Sequence, residues 1–587
     1  MSMRRVLLAI ALALPACLVV PEAPKPECVT TADCNGVEVC EDGTCWGDPP
    51  AGEFAIVISP PMERADLVSR EIMNGVITTQ GDIEGLQLQK PVELSGRLTT
   101  SCTPPLVCER AMLDASVTIT RASLFEGGPG FKLVAMTTRD NDGPQFKLDV
   151  PPGDPDLPYV VTVVPMPRGD SPPSGAPSLA ESVPPMRFQL PLTTDTTKTL
   201  ALGGLTLPTV EGTLLASAGG GLEDYRVVAM GHWEQGAPMT EVSTVAYTGA
   251  NGAFRLTLSP ELVGSVEIVA RPSDPTSGRP TLHLLDVPAA LGVQRTLTEP
   301  AGLGETIPKV ITIKGKETGG APKPIVGARV RVTALLGSAA TGTATFAIEG
   351  TTDDAGRVQL MVLNGSAIWE QYRLEVVPPA SSRVGAIYDQ PFAMTDSEVQ
   401  LPTRTILTGS VRDATGAPLG GVTVTARPAL RFVWSLDDKP QAFLNSLPLS
   451  SAITEDDGTY TLHVDPTIDD TWGYYDLSLD PARSTGFLER APTFVQPEIA
   501  IPRDAHVEQV AVPTIQLPDA AFVHGQVTDF NGIPVKDAEV KVFRRNTYAA
   551  TVCETVRNAP SPCPTPAQLV GRDAASSTGI VELTLPR

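Results

Sequence analysis

The sequence predicts an all-β protein built as a row of small sandwich domains, and three observations carry that prediction. Apolar and polar residues alternate over short segments such as 422–425 and 538–542, which puts one face of a strand on a core and the other in water. The segments are separated by turn formers, supplied by 57 prolines and 51 glycines. The same pattern then recurs at a spacing of roughly a hundred residues, one ordinary domain each, so 587 residues accommodate about five. Helical periodicity is sustained only over 63–73. Apolar residues at 42% exclude a disordered chain, and a formal charge of −23 excludes a nucleic-acid binder, because such a surface repels phosphates.

In chain order, the first element is a leader. Arg4 and Arg5 precede an apolar run over 6–14, followed by Leu14-Pro15-Ala16-Cys17. That run is too short to cross a bilayer and reads as an export signal. The segment resembles a bacterial lipobox. The resemblance implies removal of residues 1–16 and lipidation of Cys17, so that the membrane is the first partner. Leu18 stands where an inner-membrane retention signal carries Asp, which by the same analogy points to the outer membrane or cell surface, facing inward or outward. A plain cleaved signal with an incidental cysteine is the alternative. Eight of the nine cysteines remain, in local groups: Cys28, Cys34, Cys40 and Cys45; Cys102 and Cys108; Cys553 and Cys563. Clustered, even-numbered cysteines behind an export signal read as disulfides. The first four make 17–50 a tether and cysteine-rich knot that staples itself because it is too short to build a core. Zinc is the rival reading there, though no C-x-x-C pair or nearby histidine supports it.

Five units follow, at 51–200 (with a lead-in), 201–305, 306–398, 399–514 and 515–587. Each opens on a strand bearing a glycine: Gly96, Gly212, Gly315, Gly409 and Gly525. A turn such as Gly416-Ala417-Pro418-Leu419 or Gly532-Ile533-Pro534-Val535 comes next, then an alternating strand. Asp142-Gly143, Asn251-Gly252 and Asp457-Gly458 are hairpin dipeptides, whose central residues need positive φ. A last strand ends four units, at 159–164, 266–270, 372–376 and 475–479. The fifth lacks it: either the unit is truncated, or something else covers an edge that would otherwise be a template for pairing.

This arrangement resembles the carboxypeptidase regulatory-like domain, an immunoglobulin- or prealbumin-like sandwich of about seven strands. The likeness is best over 405–480 and 521–585 and fair over 311–377. It implies a non-catalytic accessory role and places the inserts 427–453 and 548–572 on loops at one end of a sandwich. Strung end to end, such units would reach roughly 150 Å, stiffened by Pro-rich joints such as 165–191.

Chemistry is sparse. The histidines (His232, His283, His463, His506, His524) are dispersed, and no nucleophile or metalloprotease motif is present, so no enzyme and no cofactor is expected. Calcium is the one metal worth weighing, at Asp140, Asp142, Asp456 and Asp457, but these share a hairpin position where Asp serves the backbone. A second acidic stretch, Asp465, Asp469, Asp470 and Asp476, surrounds Trp472, Tyr474 and Tyr475. It reads either as a ligand loop for a sugar, with Trp472, Tyr474, Asp469 and Asp470 in contact, or as a strand edge with core aromatics. Two functions remain open: a surface module binding polysaccharide or an envelope protein, or a spacer whose open fifth unit docks a partner strand.

Overall fold

The computed structural model describes residues 30, 39–41, 44–46, 54–73, 82–100, 115–125, 127–140, 143–166, 183–202, 207–235, 238–316, 320–337, 343–366, 368, 371–429, 449–465, 472–481, 491–502, 508–544 and 567–586. Every regular element among them is a strand. The helical period at 63–73 is not realised: two turns there lead into strand Arg70–Met73, which takes its hydrogen bonds from the neighbouring strand Phe54–Ser59.

The fourth unit shows the plan. Its first strand, Thr405–Arg412, pairs antiparallel with the fourth, Thr459–Val464, and parallel with the seventh, Gln509–Ala511 and Ile515–Gln516. The second sheet orders Ser450–Ile453, Val422–Pro428, Trp472–Pro481 and Phe494–Pro502 as third, second, fifth and sixth strands. The first three units repeat this, each with a seventh strand parallel to its first. The segments at 159–164, 266–270, 372–376 and 475–479 are therefore fifth strands, with two more behind them.

Two recurrent contacts explain residues that repeat in the sequence. Three of the five opening glycines make room for an aromatic on the opposite strand. Phe146 faces Gly96, Phe254 faces Gly212 and Tyr460 faces Gly409 in direct register. A Cβ on Gly212 would lie 2.5 Å from Phe254 Cζ, and one on Gly409 would lie 2.5 Å from the Tyr460 hydroxyl. The turn glycines Gly252, Gly356, Gly458 and Gly579 all take φ of 70–78°, the left-handed region a hairpin needs. A fifth-strand tyrosine then closes the sandwich end: Tyr159, Tyr372 and Tyr475 donate to the carbonyls of Pro151, Leu363 and Asp465 at 2.7, 2.5 and 3.0 Å.

The last unit corrects two expectations. Its own four strands, Ala520–Gln526, Glu539–Arg544, Gln568–Ala574 and Ile580–Pro586, are the first to fourth of the plan. The fifth, sixth and seventh come from the lead-in that the sequence attaches to the first unit. Phe54–Ser59 pairs antiparallel with Glu539–Arg544, Arg70–Met73 pairs with Phe54–Ser59, and Asp82–Ile83 runs parallel to Ala520–Gln526. The edge thought open is thus occupied, and the row of domains is not an extended rod, because its two ends share one sandwich. The core of that sandwich mixes Ile56, Ile58, Leu86 and Leu88 with Val523, Val540, Val542 and Leu585. The cysteine-bearing strands Val39–Glu41 and Thr44–Trp46 form a hairpin on the same sheet, with Cys40 opposite Cys45 in the backbone register and Trp46 opposite Phe522. Cys28, Cys34, Cys102, Cys108, Cys553 and Cys563 lie outside the described residues.

Elsewhere units join edge to edge. The sixth strand of the second unit, Thr281–Pro288, pairs antiparallel with the third strand of the third unit, Thr343–Thr351, giving one nine-stranded sheet and one core across both.

Replacing Gly212 by Ala forces Phe254 from its seat and should cost about 1–3 kcal/mol, read as a lowered urea midpoint. Ile58→Ala should cost about 2–5 kcal/mol. Its signature is loss of hydrogen-exchange protection at 539–544, far away in sequence, while amides at 405–412 keep theirs.

Candidate functional site

A buried pair of opposite charges lies where the third unit meets the fourth. Arg404 ends the connector between the two and is 5% exposed, and Asp465 directly follows the fourth strand of the fourth unit, also 5% exposed. Their side chains are 3.8 Å apart, an ion-pair separation too long for a hydrogen bond. Asp465 Oδ1 accepts the Ala386 N–H of the third unit at 2.6 Å, and the Asp465 carbonyl accepts the Tyr475 hydroxyl. Burial pushes the Asp465 carboxyl above the usual carboxylate range, with Arg404 pulling it back. His463, two residues earlier and on that fourth strand, is pushed below the usual imidazole value, first by burial and then by Arg383 and Arg404. A charge pair taken out of water is costly to assemble and costlier to break. This one adds a buried carboxylate to a junction that backbone bonds also hold, Gly385 N–H to the Pro402 carbonyl at 2.7 Å and Arg404 N–H to the Arg383 carbonyl at 3.3 Å.

A second junction carries the other well-placed histidine. His283 Nδ1 lies 2.5 Å from Glu267 Oε1, and its Nε2 lies 2.8 Å from Thr345 Oγ1 of the third unit. The imidazole bridges the strands through which the nine-stranded sheet passes between units. At the first junction, Ser259 Oγ of the second unit donates to the Pro185 carbonyl of the first at 2.7 Å, in a buried contact.

The residues proposed from sequence distribute differently. Asp469 and Asp470 lie outside the described residues. Trp472 and Tyr474 belong to strand Trp472–Pro481, where they pair with Pro502 and Ala500 of the sixth strand, while the ladder to the second strand begins at Tyr475. Tyr474 is half-buried and Tyr475 is in the core. Asp142 lies outside the described residues, and Asp140 ends strand Thr138–Asp140. Asp456 is exposed, while Asp457 Oδ1 accepts the Thr459 N–H at 3.0 Å and its hydroxyl at 2.6 Å, which holds its carboxyl below the usual range. Asp353, Asp413 and Asp529 bind the amides of their own turns in the same way. Among the described residues no three of His, Cys, Asp and Glu gather as a metal site, and no helix is long and apolar enough to cross a membrane.

One open cleft of about 430 Å³ lies on the second unit, bordered by Glu211, Tyr247, Arg255 and Gln294. Tyr247 is 57% exposed, and Glu211 pairs with Arg255 at 3.5 Å and with Gln294 at 2.8 Å. Neither this cleft nor Arg404 carries a motif. The available signal for Arg404 is a lone cation in the Pro-Thr-Arg-Thr connector that ends one unit and opens the next.

No family model matches the chain, and no curated protein does. Among solved structures it is similar to the shaft pilin SpaA from Lactobacillus rhamnosus GG, at 12% identity over 36% of this chain and 97% of that one, TM-score 0.17. A streptococcal ancillary pilin is 10% identical over 54% of this chain and 99% of its own, TM-score 0.17. Two B repeat units of the collagen binding protein of Staphylococcus aureus are 11% identical over 68% and 95%, TM-score 0.13.

Arg404→Met strands the buried carboxylate and should cost about 3–5 kcal/mol, whereas the joint change R404M/D465L should cost much less, both read by hydrogen exchange at 459–464. The sign of the pH effect follows. The folded state binds the Asp465 proton more tightly than the unfolded chain does. This group therefore favours folding most below the ordinary aspartate value, and stability falls as pH rises from there through the raised folded value. Asp465→Asn should flatten that slope.

Proposed function

We propose that this chain is an exported, lipid-anchored, non-catalytic scaffold of the cell envelope, held at the outer membrane or cell surface through Cys17. The observation that carries the reading is the sandwich shared by 54–89 and 520–586. A flexible string of binding modules has no need to return its last domain to its first strands. A scaffold that holds fixed distances does, and the fused sheet of the second and third units and the buried Arg404–Asp465 pair serve the same end. The strands nearest Cys17 in sequence belong to the closing sandwich, so the anchor and both ends of the domain row belong to one place. The second and third units, midway along the chain, are then the ones presented to a partner. The oxidising compartment that export implies suits disulfides within 17–50, where the backbone sets Cys40 opposite Cys45.

A second reading, retention of a polysaccharide, is favoured by the exposed Tyr247 beside Glu211, Arg255 and Gln294, an aromatic with hydrogen-bonding groups around a shallow cleft.

Cys17→Ala should move the protein from the membrane to the soluble envelope fraction. A soluble form starting at Leu18, followed by small-angle X-ray scattering, should keep its maximum dimension between low and high salt. Replacing both Ile56 and Ile58 by Asp should lengthen it by at least one sandwich. An unchanged dimension in that variant counts against the scaffold. Saturable retention on one immobilised polysaccharide, abolished by Tyr247→Ala, would establish the second reading instead.

A further inference from the structure

The sandwich that closes the chain is assembled from two pieces that cannot stand apart. The 54–89 piece offers Ile56, Ile58 and Leu88, each fully buried. The 520–586 piece offers Val523, Val540, Val542 and Leu585, also fully buried. Separated, each exposes an apolar face and an unpaired strand edge, and in the structure the two complete one core. Further bonds make the fit specific: Leu88 N–H to the Thr528 carbonyl at 2.8 Å, Thr528 N–H to the Leu86 carbonyl at 3.0 Å, Gln87 Nε2 to the Asp529 carbonyl at 3.1 Å, and Arg64 to the Asp529 carboxylate at 3.2 Å.

Each piece is also bonded to a different neighbouring unit. The 54–89 piece runs into the first unit across Lys90 and Pro91 alone, and Glu71 accepts the Leu124 N–H at 2.9 Å together with the Ser123 hydroxyl. The 520–586 piece runs from the fourth unit across Pro518 and Asp519, and Arg572 pairs with Asp480 of that unit. Beyond the sandwich itself, a backbone bond among the described residues joins the two, Ala567 N–H to the Gly127 carbonyl at 2.8 Å. None of these contacts requires the two pieces with their units to belong to one chain. Every bond above recurs unchanged when the first comes from one copy and the second from another. The closed and exchanged forms differ only in whether the units between must curve to bring their own ends together.

We infer that this split sandwich is an exchange site for a second copy of the same chain, in which strands 54–83 of one molecule complete the 520–586 half of the next. The surface is heterologous, donor on one end and acceptor on the other, so it propagates head to tail into rings or filaments. Protein concentration decides between the forms, since closure within a chain is unimolecular and exchange is bimolecular.

The test uses the whole chain from Leu18 and the outward-facing register partners Val57 and Lys541. One population carries Val57→Cys alone and another Lys541→Cys alone. They are unfolded together, refolded and treated with a short bis-maleimide, and linked peptides are mapped by mass spectrometry. A link between positions 57 and 541 in this mixture forms only between copies. The expected result is that it appears at high protein concentration, falls about tenfold on tenfold dilution, and accompanies species larger than the monomer. The double variant V57C/K541C, linked first at low concentration, should stay monomeric at every concentration. If the double variant links completely while the mixture never does, exchange is overturned and closure stands. If the double variant fails to link as well, the shared sandwich is absent, and this inference falls together with the scaffold reading.

Discussion

The ladder between Phe54–Ser59 and Glu539–Arg544, with Ile56 and Ile58 packed against Val540 and Val542, joins segments separated by nearly the whole chain. For a flexible chain the entropy of such a closure grows only with the logarithm of loop length, so distance in sequence is a weak obstacle. The intervening units are folded bodies, however, and bodies close a loop only if their junctions set the right angles. The terminal sandwich is therefore a constraint on every junction before it. That gives a physical reason for the joints to be specified by strand pairing and buried charge instead of by loose linkers.

The junctions meet that demand by different means. Between the second and third units, backbone hydrogen bonds carry a sheet across the boundary, and His283 with Glu267 and Thr345 sits on the seam. Between the third and fourth, a buried cation and carboxylate stand 3.8 Å apart, and the carboxylate takes an amide from the neighbouring unit. Sheet continuation is directional and sums several bonds. The buried pair is a point constraint whose loss leaves an unpaired charge. The first ties two units into one core; the second leaves two cores and fixes their register.

Much of each sandwich was legible because its determinants are local. Asn251-Gly252 and Asp457-Gly458 announced their hairpins, since positive φ is a property of two residues. The repeating glycines announced a strand, and the structure adds that Gly96, Gly212 and Gly409 each lie beneath an aromatic from the facing strand. The aromatic stretch around Trp472 was ambiguous for a good reason. An exposed sugar platform and a strand with one buried tyrosine share the same composition; the structure places Tyr475 in the core and leaves Tyr474 half-buried on the same strand. Asp465 stood out as an acidic residue near aromatics, yet nothing local reveals that Arg404, in the connector before the unit's first strand, pairs with it, or that Ala386 of the preceding unit donates to it.

By itself the sequence determined the fold class, the strand–turn–strand pattern that opens each unit and the hairpin turns, because period-two patterning and backbone preferences act over a few residues; the sixth and seventh strands of each unit appeared only in the structure. In the last unit it showed no counterpart of the strand that follows the hairpin elsewhere, and left truncation and a covered edge as alternatives. Which strands make up that deficit was decided by tertiary structure alone. A strand edge is satisfied by any backbone with matching register, and the alternation in 54–59 reads the same beside the first unit as beside the fifth. Only the packing of Ile56, Ile58, Leu86 and Leu88 against the C-terminal core selects the partner, and that complementarity resides in the fitted pair, not in either segment.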